Sequence, residues 1–172
     1  MDFNISEKMQ TIPGMMREFV DKELVPLEHE LLTNDAKSML PVIEEKRRMV
    51  RRMELWAPNH PIEYGGMGLN LVEHGLVSEV LGRTPLGFLV FGCQAPDAGN
   101  IEILYQYGSD AQKETYLKPL IQGKIRSCFS MTEVDLPGSN PVMLDTSAVK
   151  DGDHLRCLTD YGASHFAWRT PT

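Results

Sequence analysis

Cysteine is scarce in this 172-residue chain, where Cys93, Cys128 and Cys157 make an odd, widely spaced three. They form neither a disulfide framework nor a zinc-ligand set, and they read as small buried hydrophobes in a reducing compartment. His29, His60, His74, His154 and His165 are scattered, with no HExxH or other short ligand spacing, so no metal site is expected. No G-x-S-x-G is present, which leaves nucleophilic hydrolysis without support. Nothing approaches the roughly 18 consecutive apolar residues of a membrane span. The opening MDFNISEKMQ lacks the basic start and apolar run of a secretory leader and is too acidic for a typical mitochondrial presequence. A soluble, cytoplasmic protein is the expectation.

Positive charge is also in short supply, with 17 Lys and Arg against 24 Asp and Glu and a net charge of −7. That balance argues against a general nucleic-acid binder. The one basic run, KRRMVRR at 46–52, has Glu44, Glu45 and Glu54 beside it and reads as a solvated helix face or a subunit contact. What is present is ordinary for a globular chain: 42% hydrophobic and 24% charged residues, enough for a sizeable core.

Helical periodicity dominates the first two thirds. Met9, Ile12, Met16, Phe19, Val20, Leu24 and Leu27 recur at three- and four-residue intervals, one buried stripe with a start or kink near Pro13 and a bend near Pro26. After the polar link TNDAKS, the segment PVIEEKRRMVRRMELW places Val42, Lys46, Met49, Val50, Met53 and Trp56 on one helical side and most of its charges on the other. The loop APNHPIEYGGMG follows, rich in residues that stop helices. Asn70 is placed to cap the next helix, which Gly82 and Pro85 end. Another runs from about Pro96 to Gly108, and one more, capped by Ser109 or Asp110, ends at Gly123.

At Arg126 the period changes. RSCFSMT reads as a strand, and DTSAVK and HLRCLT flank Asp151-Gly152-Asp153 as a hairpin. The expected fold class is mainly α: a helical bundle of about five helices over 1–124, then an incomplete antiparallel β segment over 125–172. The loop TEVDLPGSN at 132–140 is by composition a turn. Its Thr132, Gly138 and Ser139 can also present hydroxyls and main-chain N–H groups to a phosphate or a polar ring edge.

Several segments together resemble the acyl-CoA dehydrogenase family of flavoenzymes. LWAPNHPIEYGGMGLNLVEHGLVSEVLGRTPLG is similar to the family's helix, loop and helix around a Pro-x-x-x-Gly-Gly pattern. APDAGNIEILYQYGSDAQKETYLKPLIQGKIRSCFSMTE resembles the next two helices, including Gly-x-x-x-Gln-Lys-x-x-Tyr-Leu at 108–117. The order covers residues 40–154 well and 5–35 less closely. The APDAGN segment leans toward the branch that includes long-chain enzymes fused to kinase-like domains.

The resemblance implies an all-α N-terminal domain, a central β domain and a C-terminal helical domain, with FAD as cofactor. The implied reaction is α,β-dehydrogenation of an acyl-CoA thioester in fatty-acid β-oxidation, with electrons passed to an acceptor such as an electron-transferring flavoprotein. It further implies that Phe129, Met131, Thr132, Gly138 and Ser139 contact the flavin. Ser139, Gly99, Asn100 and Ile103 fall to the substrate, and the family protein is a homo-oligomer. Val134 replaces the usual Pro and Asn140 the usual Asp, and from about residue 155 the family pattern is lost, so Trp168 is not equated with the family's flavin-stacking tryptophan. The catalytic carboxylate belongs to the C-terminal domain, so the chain is expected to be a truncated form, inactive alone, with Glu133 a loop acceptor. The alternative is a non-catalytic helical interaction or acyl-binding module derived from the same family.

Overall fold

The computed structural model describes residues 7–129, 131, 133, 136, 139–152 and 154–158. It divides into two compact units, residues 1–125 and 126–172, and the chain is mainly helical, as its periodicity predicts.

The first unit begins with α1 (Glu7–Phe19), whose apolar stripe buries Met9, Ile12, Met16 and Phe19. The helix runs through Pro13 rather than starting there. A proline inside a helix forfeits one hydrogen bond, a loss that burial on both sides of it offsets here. The stripe continues through a π turn (Val20–Leu24) that buries Val20 and Leu24, and then a 3₁₀ turn (Val25–Leu27) that holds Pro26. The expected bend is therefore a change of helical winding. The short α2 (Glu28–Thr33) leads to α3 (Ala36–Arg52). Asp35 caps α3, its Oδ1 accepting the N–H groups of Lys37 and Ser38 at 2.9 and 3.0 Å. That cap starts α3 inside the segment predicted as a polar link, and Pro41 is an internal residue of the helix.

The next helices carry their own stop signals. Asn70 caps α4 (Leu71–Leu81) through a reciprocal box with Glu73. A single turn, α5 (Gly87–Val90), precedes α6 (Asp97–Tyr107). Ser109 then caps α7 (Asp110–Gln112), which passes through a second π turn (Lys113–Leu117) into α8 (Lys118–Ile121). Packing of α1 on α4, α3 on α5 and α6 on α8 encloses the core, and Phe19 meets Phe91 edge-on at 5.7 Å.

In the second unit β1 (Ser147–Asp151) pairs antiparallel with β2 (His154–Leu158), Ser147 opposite Leu158 and Asp151 opposite His154. Gly152 turns the hairpin with φ 61°. The strand predicted from RSCFSMT is not formed over its described residues 126–129 and 131. A strand exists through its ladder, and β1 and β2 are the two strands of the single sheet among the described residues.

Candidate functional site

Trp56 organises one face of the helical unit. The chain leaves α3 through Glu54 and Ala57, both with positive φ, and turns the indole inward to 7% exposure. Its Nε1 donates to the Ile121 carbonyl at 2.8 Å. The Arg51 guanidinium lies 3.9 Å from the ring centroid and that of Arg47 5.3 Å, within cation–π range. Arg47 Nε donates to the Leu89 carbonyl at 3.1 Å, and Arg51 Nη2 to that of Gln122 at 2.9 Å. Glu44 accepts from both guanidiniums, at 3.5 and 3.1 Å. The basic run is therefore not simply a solvated face: Arg47 is 6% exposed, because it stands four residues after Ile43 on the inner stripe. Gly92, at φ 73°, lets the backbone meet the indole; a Cβ there would come within 2.4 Å of Trp56. Beside this node opens a groove of about 1220 Å³, walled by Met15, Met53, Trp56, Ile62, Tyr64 and Met67.

A second, polar cavity of about 320 Å³ lies under the 57–69 loop, lined by Asn59, His60, His74, Glu102 and Tyr105 among others. The loop folds tightly enough that a Cβ on Gly66 would sit 2.2 Å from the His60 carbonyl oxygen, which accepts the Gly68 N–H at 2.9 Å. His60 is thereby carried inward to 2% exposure. Burial, with His74 close by, pushes its imidazole down to about 4 against a hydrogen bond to Gly92, so it is neutral at physiological pH. Asn59 Oδ1, His60 Nε2 and His74 Nε2 are buried with no hydrogen-bond partner in the protein. Nearby Cys93 is an inert thiol, pushed up to about 12 by burial. No group of three or more His, Cys, Asp or Glu converges among the described residues.

The residues predicted to form the site are distributed over both units. Gly99, Asn100 and Ile103 lie on α6, with Gly99 and Asn100 half-buried and Ile103 55% exposed. Helical geometry puts Gly99 and Ile103 opposite the buried Ile101. In the second unit Phe129 and Met131 are exposed apolar side chains and Ser139 sits in an exposed turn. Thr132, Gly138 and Trp168 lie outside the described residues. An exposed phenyl ring, an exposed thioether and an exposed serine are side chains whose chemistry a flavin could take. Glu133 is a loop acceptor: its carboxylate takes the N–H groups of Asp145 and Thr146 at 3.0 and 2.8 Å and the Thr146 hydroxyl. The Asp145 bond first, then the Thr146 hydroxyl, hold its carboxyl below the usual range. Periodicity placed Trp56 on one side of its helix but did not single out Arg47, Asn59, His60 or His74. For Arg47 the signal was available in its spacing from Met39 and Ile43; for the histidine pair no local spacing carries it.

Comparison with known proteins meets this geometry. The family described as "Acyl-CoA dehydrogenase, N-terminal domain" matches residues 6–124, all the described residues of the helical unit but the last. The chain belongs to the acyl-CoA dehydrogenase family. Acyl-CoA dehydrogenase family member 10 of Mus musculus is 34% identical over 158 residues, covering 87% of this chain and 15% of its own length. (R)-Benzylsuccinyl-CoA dehydrogenase of Thauera aromatica is 32% identical over 160 residues, covering 88% and 39%. A solved Mycobacterium abscessus structure assigned to the acyl-CoA dehydrogenases superposes with a TM-score of 0.80 at 33% identity, covering 90% of this chain and 41% of that one. The chain thus spans well under half the length of these relatives. Among the described residues no helix is long and apolar enough to cross a membrane.

Proposed function

We propose that the chain is the N-terminal α domain, residues 1–124, and the opening of the middle β domain, residues 125–172 with an atypical tail from about 155, of an FAD-dependent acyl-CoA dehydrogenase. The observation that carries this reading is the family match across the helical unit. The reaction is α,β-dehydrogenation of an acyl-CoA thioester in fatty-acid oxidation. Bound FAD supplies the acceptor for the two electrons, which pass on to an electron-transferring flavoprotein.

This chain's own residues orient and enclose. Phe129 and Met131 would pack on the flavin ring, Thr132 would hydrogen-bond it, and Gly138 and Ser139 would hold the pyrophosphate and CoA arm. Gly99, Asn100 and Ile103 wall the acyl chain. The side of α6 opposite its buried residues supports that assignment, since it combines the small Gly99 with the exposed Ile103 and its neighbour Tyr107, 80% exposed; an apolar surface of this kind calls for an apolar cover. None of these residues serves as the base that removes the α-proton. Glu133 is committed to the backbone of 145–146. On this reading the base lies in a part of the full-length family protein outside these residues, and that protein works as a homo-oligomer.

The test is direct. Purified protein is scanned for a flavin absorption band and then mixed with acyl-CoA and a redox dye. A colourless or yellow preparation without dye reduction is expected. Steady dye reduction would overturn the assignment of the base to another part of the protein.

A further inference from the structure

The cavity under the 57–69 loop carries three electron-pair donors that the protein leaves without a partner: Asn59 Oδ1, His60 Nε2 and His74 Nε2. Buried polar atoms are paired in nearly every native structure, so three on residues that line one cavity point to a ligand. Their chemistry narrows its class. His60 hydrogen-bonds Gly92, and with Nε2 unpartnered the nitrogen engaged is Nδ1. A carbonyl held in this way fixes the tautomer that leaves the Nε2 lone pair available, the arrangement that metal-ligating histidines adopt. The residues lining the cavity include Glu102 and no Lys or Arg, and Asp97 adds its field at His60, so the site attracts positive charge. Two imidazole nitrogens with an amide oxygen suit a borderline divalent ion.

We propose that His60 and His74, with Asn59 as third donor, form a binding site for a divalent transition-metal ion of the zinc class, pinning the 57–69 loop to α4. The site is independent of the flavin reading: it lies wholly within the helical unit and uses none of the residues assigned to FAD or acyl-CoA. The spacing of the histidines hides it from the sequence, because one lies on a loop, the other on α4, and the third donor is an amide.

The full chain, stripped with a chelator, is titrated at neutral pH with Zn²⁺ by calorimetry and with Co²⁺ by visible absorption. One equivalent should bind and raise the melting temperature, and the Co²⁺ spectrum should lack an intense thiolate band. His74→Gln, which keeps a polar side chain at a half-buried position, should weaken binding about tenfold or more, whereas His29→Gln, on an exposed position of α2, should leave it unchanged. Anomalous diffraction at the zinc edge from wild-type crystals supplies a readout that no variant has to survive; density should fall between the two Nε2 atoms. Absence of binding, affinity untouched by His74→Gln, a thiolate-bound ion, or crystals showing ordered water alone at these atoms would each overturn the site.

Discussion

Every buried hydrophobic residue among those described falls between Met9 and Ile121, whereas β1 is exposed at all five of its positions. The helical unit closes its backbone hydrogen bonds within each helix and spends its apolar stripes on a shared core. The hairpin can satisfy its inner edges only by pairing, and a two-stranded ladder leaves both faces and both outer edges open. The two units differ, then, in what they need from elsewhere. A helix bundle with its own core resists perturbation as a body; an exposed ladder takes its order from whatever covers it, and a single side chain such as Glu133 has a large share in holding its loop.

The sharpest way to break this comparison is at Trp56. Trp56→Ala removes the indole that joins α3, the Gly92 turn and Ile121, and should cost about 3–5 kcal/mol in a urea denaturation of the helical unit. A wild-type midpoint would show that the core does not depend on that node. Arg47→Ala should cost about 2 kcal/mol, since it leaves the part-buried Leu89 carbonyl without its charged donor; Arg47→Lys should recover part of the loss if charge matters more than the forked geometry. Asn70→Ala, which removes the side-chain half of a capping box at the surface, should cost about 1 kcal/mol with no change in the slope of the transition.

The smallest expected effect belongs to the second unit and depends on pH. Glu133 is held below the usual carboxyl range in the folded loop, so the folded state binds fewer protons than the unfolded one as acid is added. Its contribution is fully present above the ordinary carboxylate value and is lost as pH falls through the lower folded value. Amide exchange at Asp145 and Thr146 should accelerate over that window, and in Glu133→Gln should be fast and flat with pH. Exchange that is pH-independent in both proteins would put the order of this loop elsewhere.

The helical unit was legible because its signals are local. The stripe from Met9 to Leu24, the caps Asn70 and Ser109 and the stops at Gly108 and Gly123 act within a turn or two of where they stand, and each is realised. The four-residue α5 was not legible, being shorter than the period that would reveal it. Nor were the π turns, where one extra residue per turn keeps the stripe facing inward while the hydrogen bonding changes. Arg47 was misread because charge was taken as a marker of exposure, although a guanidinium with a carbonyl, a carboxylate and an indole to meet can be buried. The RSCFSMT alternation is a strand pattern without a partner strand among the described residues, and no local signal can supply one. The candidate site divides the same way: the family motifs name residues on α6 and in the second unit, while the His60 and His74 cluster exists only once the loop has folded over α4.

Trp56 also gives the helical unit an optical gauge of its own. The chain has two tryptophans, Trp56 and Trp168, so Trp168→Phe would leave a single indole emitting from the junction of α3, the Gly92 turn and α8. Excluded from water and stacked under a guanidinium, that indole should emit at short wavelength and move to the red only when Arg51 and the Ile121 carbonyl let go. Ligand entry into the neighbouring groove, assembly with a partner and the first stage of unfolding would then each register as a colour change, with no dye attached.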